Sequence, residues 1–414
     1  MRFLVLWLAL LANLMVPAWA QPFSSLPSTQ GIEPAAPLTL DAALALSANN
    51  NAALQAAAKE VDALDGSITQ AGLIPNPELS VSTEDTRRET RTTAAQIGIP
   101  IELGGKRTAR VVAAQRAQSV AVANLTLARA NVRAATVAAF FEVLIAQESV
   151  ELAQASLGVA KKATDIARRR VASGKVPPLE ETRAQVEQGN AELALTDAST
   201  RLEGARRSLA MLWGNSDPVF LRAIGDLEQL PDRGPVDAML RDLGASPELV
   251  VGRLEIERRQ AVVDVERSKQ YPDITISAGS QRNNELGRNQ TLIGISIPLP
   301  LFNRNQGNLY EAKVRADQAQ DQYRSIEITM RNELSQAALR LSQARAAAQM
   351  LRTTLLPGAQ QAYDVATKGF EAGKFGFIDV LDAQRTLFQS RIRYLTTLAD
   401  SYQAAIVIDR VLGR

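Results

Sequence analysis

The sequence predicts a mainly α chain with β structure, laid out as two tandem structural repeats. Each repeat holds two long coiled-coil helices and two strands of barrel type. Three observations carry this. Segments align between the two halves in the same order, short stretches of strict apolar alternation occur in pairs, and very long proline-free runs follow each pair. "NPELSVS" (76–82) matches "YPDITIS" (271–277) at an offset of 195, and Ile99-Pro100 matches Ile297-Pro298 at 198. "VASGKVPPLEETRAQ" (171–185) matches "FEAGKFGFIDVLDAQ" (370–384) at 199, and the halves close alike at Trp213-Gly214 and Leu412-Gly413.

In chain order, residues 1–20 read as a secretory signal peptide. Arg2 is its basic start, Phe3–Val16 its apolar core, and Ala18-Trp19-Ala20 the cleavage motif, with the cut after Ala20. An N-terminal extended segment is expected over 21–37, repeat 1 over 38–214, a linker over 215–235 and repeat 2 over 236–414. "PDRGP" (231–235) supplies the linker's breakers and turn formers.

Strands are expected at about 77–84 and 93–101, and again at 272–280 and 291–299. Leu79 and Val81 alternate with Ser80 and Ser82; Ile293, Ile295, Ile297 and Leu299 alternate with Gly294, Ser296 and Pro298. Helices are expected at about 108–171, 177–213, 307–370 and 377–412. The first has no proline from Thr108 to Val171, which is roughly 95 Å of helix at 1.5 Å per residue. Leu195, Leu202 and Leu209 repeat every seven residues, and Leu334, Ala337, Leu341, Ala344, Ala348 and Leu351 step by three and four, the spacing of a coiled-coil seam. Pro357 should kink or break the third long helix.

Composition removes several function classes. The chain has no Cys and no His. Disulfides, thiolate or imidazole metal sites and Ser-His or Cys-His nucleophile pairs are therefore ruled out. No cofactor, high-affinity metal site or enzymatic activity is expected. The formal net charge is +2, with no basic stripe for nucleic acid. After the signal, no segment approaches eighteen consecutive apolar residues, so a membrane would be crossed by strands rather than helices.

Four strands of eight or nine residues, apolar on one side and small or polar on the other, have the length and pattern of transmembrane barrel strands. Four cannot close a barrel, and open edges are not tolerated in lipid. Several chains must share one. Eight strands fill their own interior, whereas twelve leave a passage. The expectation is a trimeric twelve-stranded β-barrel continued by an α-helical periplasmic barrel, with the repeated Ile-Pro segment marking where strand gives way to helix.

At this point the residues carry a resemblance. "AGKFGFIDVLDAQRTLF" (372–388) is similar to the second helical-tip motif of the TolC-like outer membrane factors, and the likeness extends over 38–413. "NPELSVSTEDTRRETRTTAAQIGIPIELGGKR" (76–107), "VPPLEETRAQVEQGNAEL" (176–193) and "LPLFNRNQGNLY" (299–310) look like the subgroup paired with cobalt–zinc–cadmium resistance-nodulation-division (RND) pumps. The resemblance implies an outer-membrane homotrimer, a periplasmic adaptor, a proton-driven inner-membrane RND pump, and divalent heavy-metal cargo, with nickel a further candidate.

It also assigns residues. Asp379 and Asp382, three apart on one helix face, would form carboxylate rings at the periplasmic aperture, and such rings favour cations. The alternative is a solvated helix start favoured by the dipole. The turns Gly174-Lys175-Val176 and Gly373-Lys374-Phe375 would dock the adaptor. Glu180 stands where relatives carry an acidic residue of a closed-state lock. Phe370 and Phe375, however, occupy the places of its polar partners, which points to closure by apolar packing. Two other readings stay open on sequence alone: a duct for drugs or a secreted polypeptide, and an exported coiled-coil structural protein without a pore.

Overall fold

The computed structural model describes residues 37–372 and 374–414. The predicted signal peptide with Ala20, residues 21–36 and Gly373 lie outside the described residues. In chain order the first repeat gives β1 (Leu38–Thr39), α1 (Leu40–Asn50), α2 (Ala52–Ala71), β2 (Glu78–Glu84), β3 (Thr92–Ile101), α3 (Lys106–Ala172) and α4 (Pro178–Met211). After β4 (Ala223–Ile224), the second gives α5 (Val236–Asp242), α6 (Pro247–Ser268), β5 (Ile274–Asn283), β6 (Arg288–Ser296), α7 (Gln306–Met350), α8 (Leu356–Glu371) and α9 (Phe377–Leu412).

The strands form one antiparallel sheet in the order β2-β3-β5-β6. Its central pairing, Ile97 opposite Ala278 and Ile99 opposite Ile276, joins the two repeats. The strand expected to reach 299 stops at Ser296, because Pro298 and Pro300 have no N–H to give a ladder. Pro100 is kept inside β3 because the β2 ladder ends at Gly98, so no strand on that side needs its missing donor.

The long helices follow the same plan twice. Helix α3 runs unbroken for 67 residues, roughly 100 Å at 1.5 Å per residue. Beside it, two shorter helices are stacked end to end. Asn51 caps α2 by accepting from the N–H groups of Ala53 and Leu54, while its Nδ2 donates to the Leu212 carbonyl at 2.8 Å, just past the end of α4. In the second repeat α9 ends against the start of α6. A Cβ on Gly413 would come within 2.6 Å of the Pro247 ring. Arg414 also reaches Asp242 at 2.5 Å.

The third long helix is broken just before Pro357, as expected. The ladder loosens into a π turn over Leu351–Leu355, and Pro357 falls in the first turn of α8, where a missing N–H costs nothing. The α3–α4 seam keeps part of the leucine heptad expected: Leu209 is fully buried and Leu202 packs against the same core. Ala184, Ala191, Ala198 and Ala205 are also buried, seven apart, and alanine lets the two backbones come close.

Two cores sit at mid-height, one per repeat. The first gathers Leu38, Phe140, Val143, Leu209, Trp213 and Phe220; the second Met239, Leu243, Leu334, Leu341, Ile408 and Val411. The Gln147 side chain fastens β4 to α3, accepting from the Ala223 N–H at 2.7 Å and donating to its carbonyl at 3.0 Å. The linker is held by Tyr402, whose hydroxyl lies 3.0 and 2.9 Å from the carbonyls of Asp226 and Gln229.

Candidate functional site

The sheet presents one apolar face that the chain leaves uncovered. Leu79, Val81, Ile97, Ile99, Ile101, Ile276, Ile293 and Ile295 are all exposed, Ile293 by 82 %. Register puts them on one side, since Leu79 faces Ile97, Ile97 faces Ala278 and Ala278 faces Ile293. The other side carries Ser80, Gln96, Gly98, Thr275, Ser277, Gly279 and Gly294. Apolar outside and small or polar inside is the polarity of a barrel wall in lipid. β2 and β6 have unpaired outer edges. Among the described residues no helix is long and apolar enough to cross a membrane.

At the foot of the sheet a charged belt fixes the change from strand to helix. Asp273 accepts from the Leu103 N–H at 3.1 Å and from Lys106 Nζ at 2.7 Å. Arg110 grips Glu102 with two nitrogens. Gly104 and Gly105 are left-handed, φ 70° and 72°, and the Tyr271 ring lies on Gly104. The second repeat makes the same turn with Asn305, φ 58°, whose Nδ2 donates to the carbonyl and carboxylate of Glu266. Burial pushes the Glu266 carboxyl up, but hydrogen bonds from Asn305 and Lys269 outweigh it and hold the carboxyl below its ordinary value.

The opposite end carries the two turns. Gly174, φ 68°, terminates α3 in a Schellman motif: Lys175 N–H donates to the Arg170 carbonyl at 3.0 Å and Gly174 N–H to Val171 at 2.9 Å. Pro178 then opens α4 with Glu180 and Glu181 in its first turn, favourable to the helix dipole. The second turn repeats the long bond, from Lys374 N–H to the Gly369 carbonyl at 2.8 Å. Lys175 and Lys374 are exposed and Val176 is half-buried. The Phe375 ring folds back onto Gly369 and stays 45 % exposed. Gly373 lies outside the described residues.

Asp379 and Asp382 are both exposed. The Asp379 carboxylate accepts from the Gly376 N–H at 2.8 Å and so caps α9. Asp382 precedes by one turn Arg385, whose guanidinium is bound by Glu187 from α4. Among the described residues no salt bridge joins Glu180. The link between the two tips is Arg170, 3.8 Å above the Phe370 ring and donating to the Phe370 carbonyl at 3.2 Å. Phe370 is buried with Ala167, Ala184, Ala366 and Val380. Sequence reasoning missed Arg170 and the Glu187–Arg385 pair. No spacing rule reports either pair, since Arg170 and Phe370 are 200 residues apart and Glu187 and Arg385 are 198 apart. Among the described residues no cluster of carboxylates is gathered to hold a metal ion.

The family of outer membrane efflux proteins matches this chain twice, over residues 43–215 and 241–414. The chain belongs to the outer membrane efflux protein family. The two matches fall on the two halves of the duplicated layout. Among characterised relatives, the cobalt-zinc-cadmium resistance protein CzcC of Cupriavidus metallidurans is 54% identical over 92% of this chain and 91% of its own length. The nickel and cobalt resistance protein CnrC of the same species is 28% identical over 67% of each. Among solved structures, the outer membrane protein VceC of Vibrio cholerae superimposes with a TM-score of 0.77 at 21% identity, over 90% of this chain and 96% of that one. The open state of the MtrE outer membrane channel of Neisseria gonorrhoeae gives 0.75 at 19%, over 96% and 98%. The fold is that of the TolC-like channels. The efflux protein resides in the outer membrane, with its long helices on the periplasmic side.

Proposed function

We propose that the chain is the outer-membrane exit duct of a tripartite system that expels divalent heavy-metal cations, cobalt, zinc and cadmium first and nickel as a further candidate. The supporting observation is the sheet: an apolar outer face together with two unpaired edge strands. An open edge in lipid costs several kcal/mol per unpaired group, so β6 of one copy pairs with β2 of the next. Three copies close twelve strands around a passage. The helices extend the ring into the periplasm as a tunnel. The 54% identity to a cobalt-zinc-cadmium resistance protein supports the cargo.

In this reading the duct is passive, and an inner-membrane RND proton antiporter drives transport. A periplasmic adaptor docks at the two turns, on Gly174, Lys175 and Val176 and on Gly373, Lys374 and Phe375. The exposed carboxylates of Asp382 and Asp379 face the narrow end and favour cations. Deleting the gene and plating on graded cobalt, zinc, cadmium and nickel salts tests the cargo. Sensitivity restored by the intact gene is the expected result. Unchanged tolerance of all four metals overturns it.

A further inference from the structure

The uncovered face of the sheet holds a single charged side chain. In β5 the residues on the apolar side, Ile276, Ala278, Ser280 and Arg282, are exposed, while Ser277, Gly279, Gln281 and Asn283 between them are half-buried. Register extends that side across the other three strands, where every position on it is apolar, threonine or asparagine. A charge aimed at hydrocarbon is costly, so the level at which Arg282 stands decides what receives it.

That level is the far end of the sheet from the helices. Asp273, in the charged belt at the foot, comes nine residues before Arg282. At ~3.4 Å per residue and a strand tilt of about 40°, the two levels are roughly 23 Å apart. The apolar band of a barrel in lipid is about 25 Å tall, so Asp273 and Arg282 bracket it. With the long helices on the periplasmic side, Arg282 stands among the headgroups of the leaflet that faces out of the cell.

No acid of the chain neutralises it there. Among the described residues Arg282 makes no salt bridge; its Nη1 donates to Asn289 Oδ1 at 3.3 Å, straight across the β5–β6 ladder. Glu84 falls on the opposite, polar side of β2. The Asp85 carboxylate is taken by the Arg87 N–H and the Thr90 hydroxyl. Thr83, Thr93 and Asn289 share the row with Arg282, and Ser280 and Thr291 lie one step below. A guanidinium fork matches phosphate oxygens in pairs, and the hydroxyls and amide beside it match those of a sugar. A choline or ethanolamine headgroup would bring a cation of its own and lose part of that attraction.

We propose that Arg282, with Asn289 and the threonines around it, binds the phosphorylated sugar headgroup of an outer-leaflet glycolipid of the lipopolysaccharide type. The inference rests on the apolar face lying in lipid and is independent of the cargo. It assigns Arg282 to fixing the depth of the sheet in the membrane.

The purified full chain is reconstituted into phosphatidylcholine vesicles that contain either diphosphoryl lipid A or lipid A stripped of both phosphates. Lipid A retained per chain after mild detergent extraction is counted by native mass spectrometry. The wild type is expected to retain the diphosphoryl form at least about tenfold better than the stripped form, the size of one charged hydrogen bond. Arg282→Gln should abolish that preference and Arg282→Lys should keep part of it. Equal retention of the two lipids by the wild type, or an unaltered preference in Arg282→Gln, overturns the site. Should Arg282→Gln fail to insert, the wild-type contrast between the two lipids decides alone. Wild-type chain that enters the vesicles without preferring either lipid leaves the lipid-facing sheet standing and removes only the site. Failure to enter any vesicle overturns both.

Discussion

The guanidinium of Arg170 lies 3.8 Å from the centre of the Phe370 ring and donates to the Phe370 carbonyl at 3.2 Å. The two residues stand in the last turns of α3 and α8, one in each repeat, so the contact joins the two copies and is not repeated within them. A cation over an aromatic face contributes about 0.5–1 kcal/mol when partly exposed, and a charged hydrogen bond about 1.5 more. Arg170→Ala is expected to speed amide exchange at both tips roughly thirty- to seventyfold, at about 1.4 kcal/mol per factor of ten, while leaving the mid-height cores unchanged. Arg170→Lys keeps the charge but loses the planar stack, and should fall between. Hydrogen exchange followed by mass spectrometry reads this directly. Exchange spread evenly over the chain would mean that Arg170 serves global stability instead.

The two aspartates are not equivalent. Asp379 spends its carboxylate on the Gly376 N–H, whereas Asp382 leaves its carboxylate exposed on the next turn. Asp382→Asn is therefore expected to lower the cation preference of single channels in planar bilayers without loosening the start of α9. Asp379→Asn should weaken the helix start, by about 1 kcal/mol for a lost cap, and shift selectivity less. Reversal potentials under a salt gradient measure the first effect. An unaltered reversal potential in the double variant removes the ring.

Much of this was legible because the repeats are long and periodic. Strand alternation, the long helices and the position of both turns follow from side-chain spacing, a local property. The register-setting features were not local. Asp273 meets Lys106, Glu187 meets Arg385 and Tyr402 meets Asp226 across more than 160 residues each, and no spacing rule reports such pairs. The seam was legible only in part. Leu202 and Leu209 do pack into a core, but along the rest of α4 the close α3–α4 approach gives the fully buried places to alanines, which carry little hydrophobic signal. Pro357 interrupts its helix as expected, and what no spacing reports is that a π turn over Leu351–Leu355 absorbs the misfit.

Tyr402 ties the linker to α9 and is buried against Phe141, whose ring stacks on it at 3.8 Å. Burial first, then the charge of Asp226, pushes its hydroxyl from 10.0 to about 12. A folded value above the unfolded one means that the native chain holds the proton longer. The contribution is complete below pH 10 and is lost as pH rises towards 12. Thermal unfolding of the purified protein should therefore fall steeply across that window, and Tyr402→Phe should flatten the fall. The variant should also lose about 0.5–1.5 kcal/mol near neutrality, the net contribution of one hydrogen bond. A wild-type profile as flat as that of the variant would exclude Tyr402 as the titrating group.

The strand-to-helix turn offers a comparison made by the chain itself. Gly105 and Asn305 precede α3 and α7 in the same left-handed conformation, and asparagine is among the few side-chain-bearing residues that adopt it readily. Around Gly105 there is open space for a Cβ. Gly105→Asn is expected to change stability by less than about 0.5 kcal/mol. Gly104 is different, because a Cβ there would sit 2.6 Å from the Tyr271 ring while φ stays at 70°. Gly104→Ala combines overpacking with backbone strain, each costing about 1–3 kcal/mol. It should reduce the yield of heat-resistant assembled protein in outer membranes. Gly104→Ala with Tyr271→Ala relieves the clash but keeps the strain, so partial recovery is expected. Full recovery would show that packing alone fixes glycine at this position, and no recovery would assign it wholly to the left-handed turn.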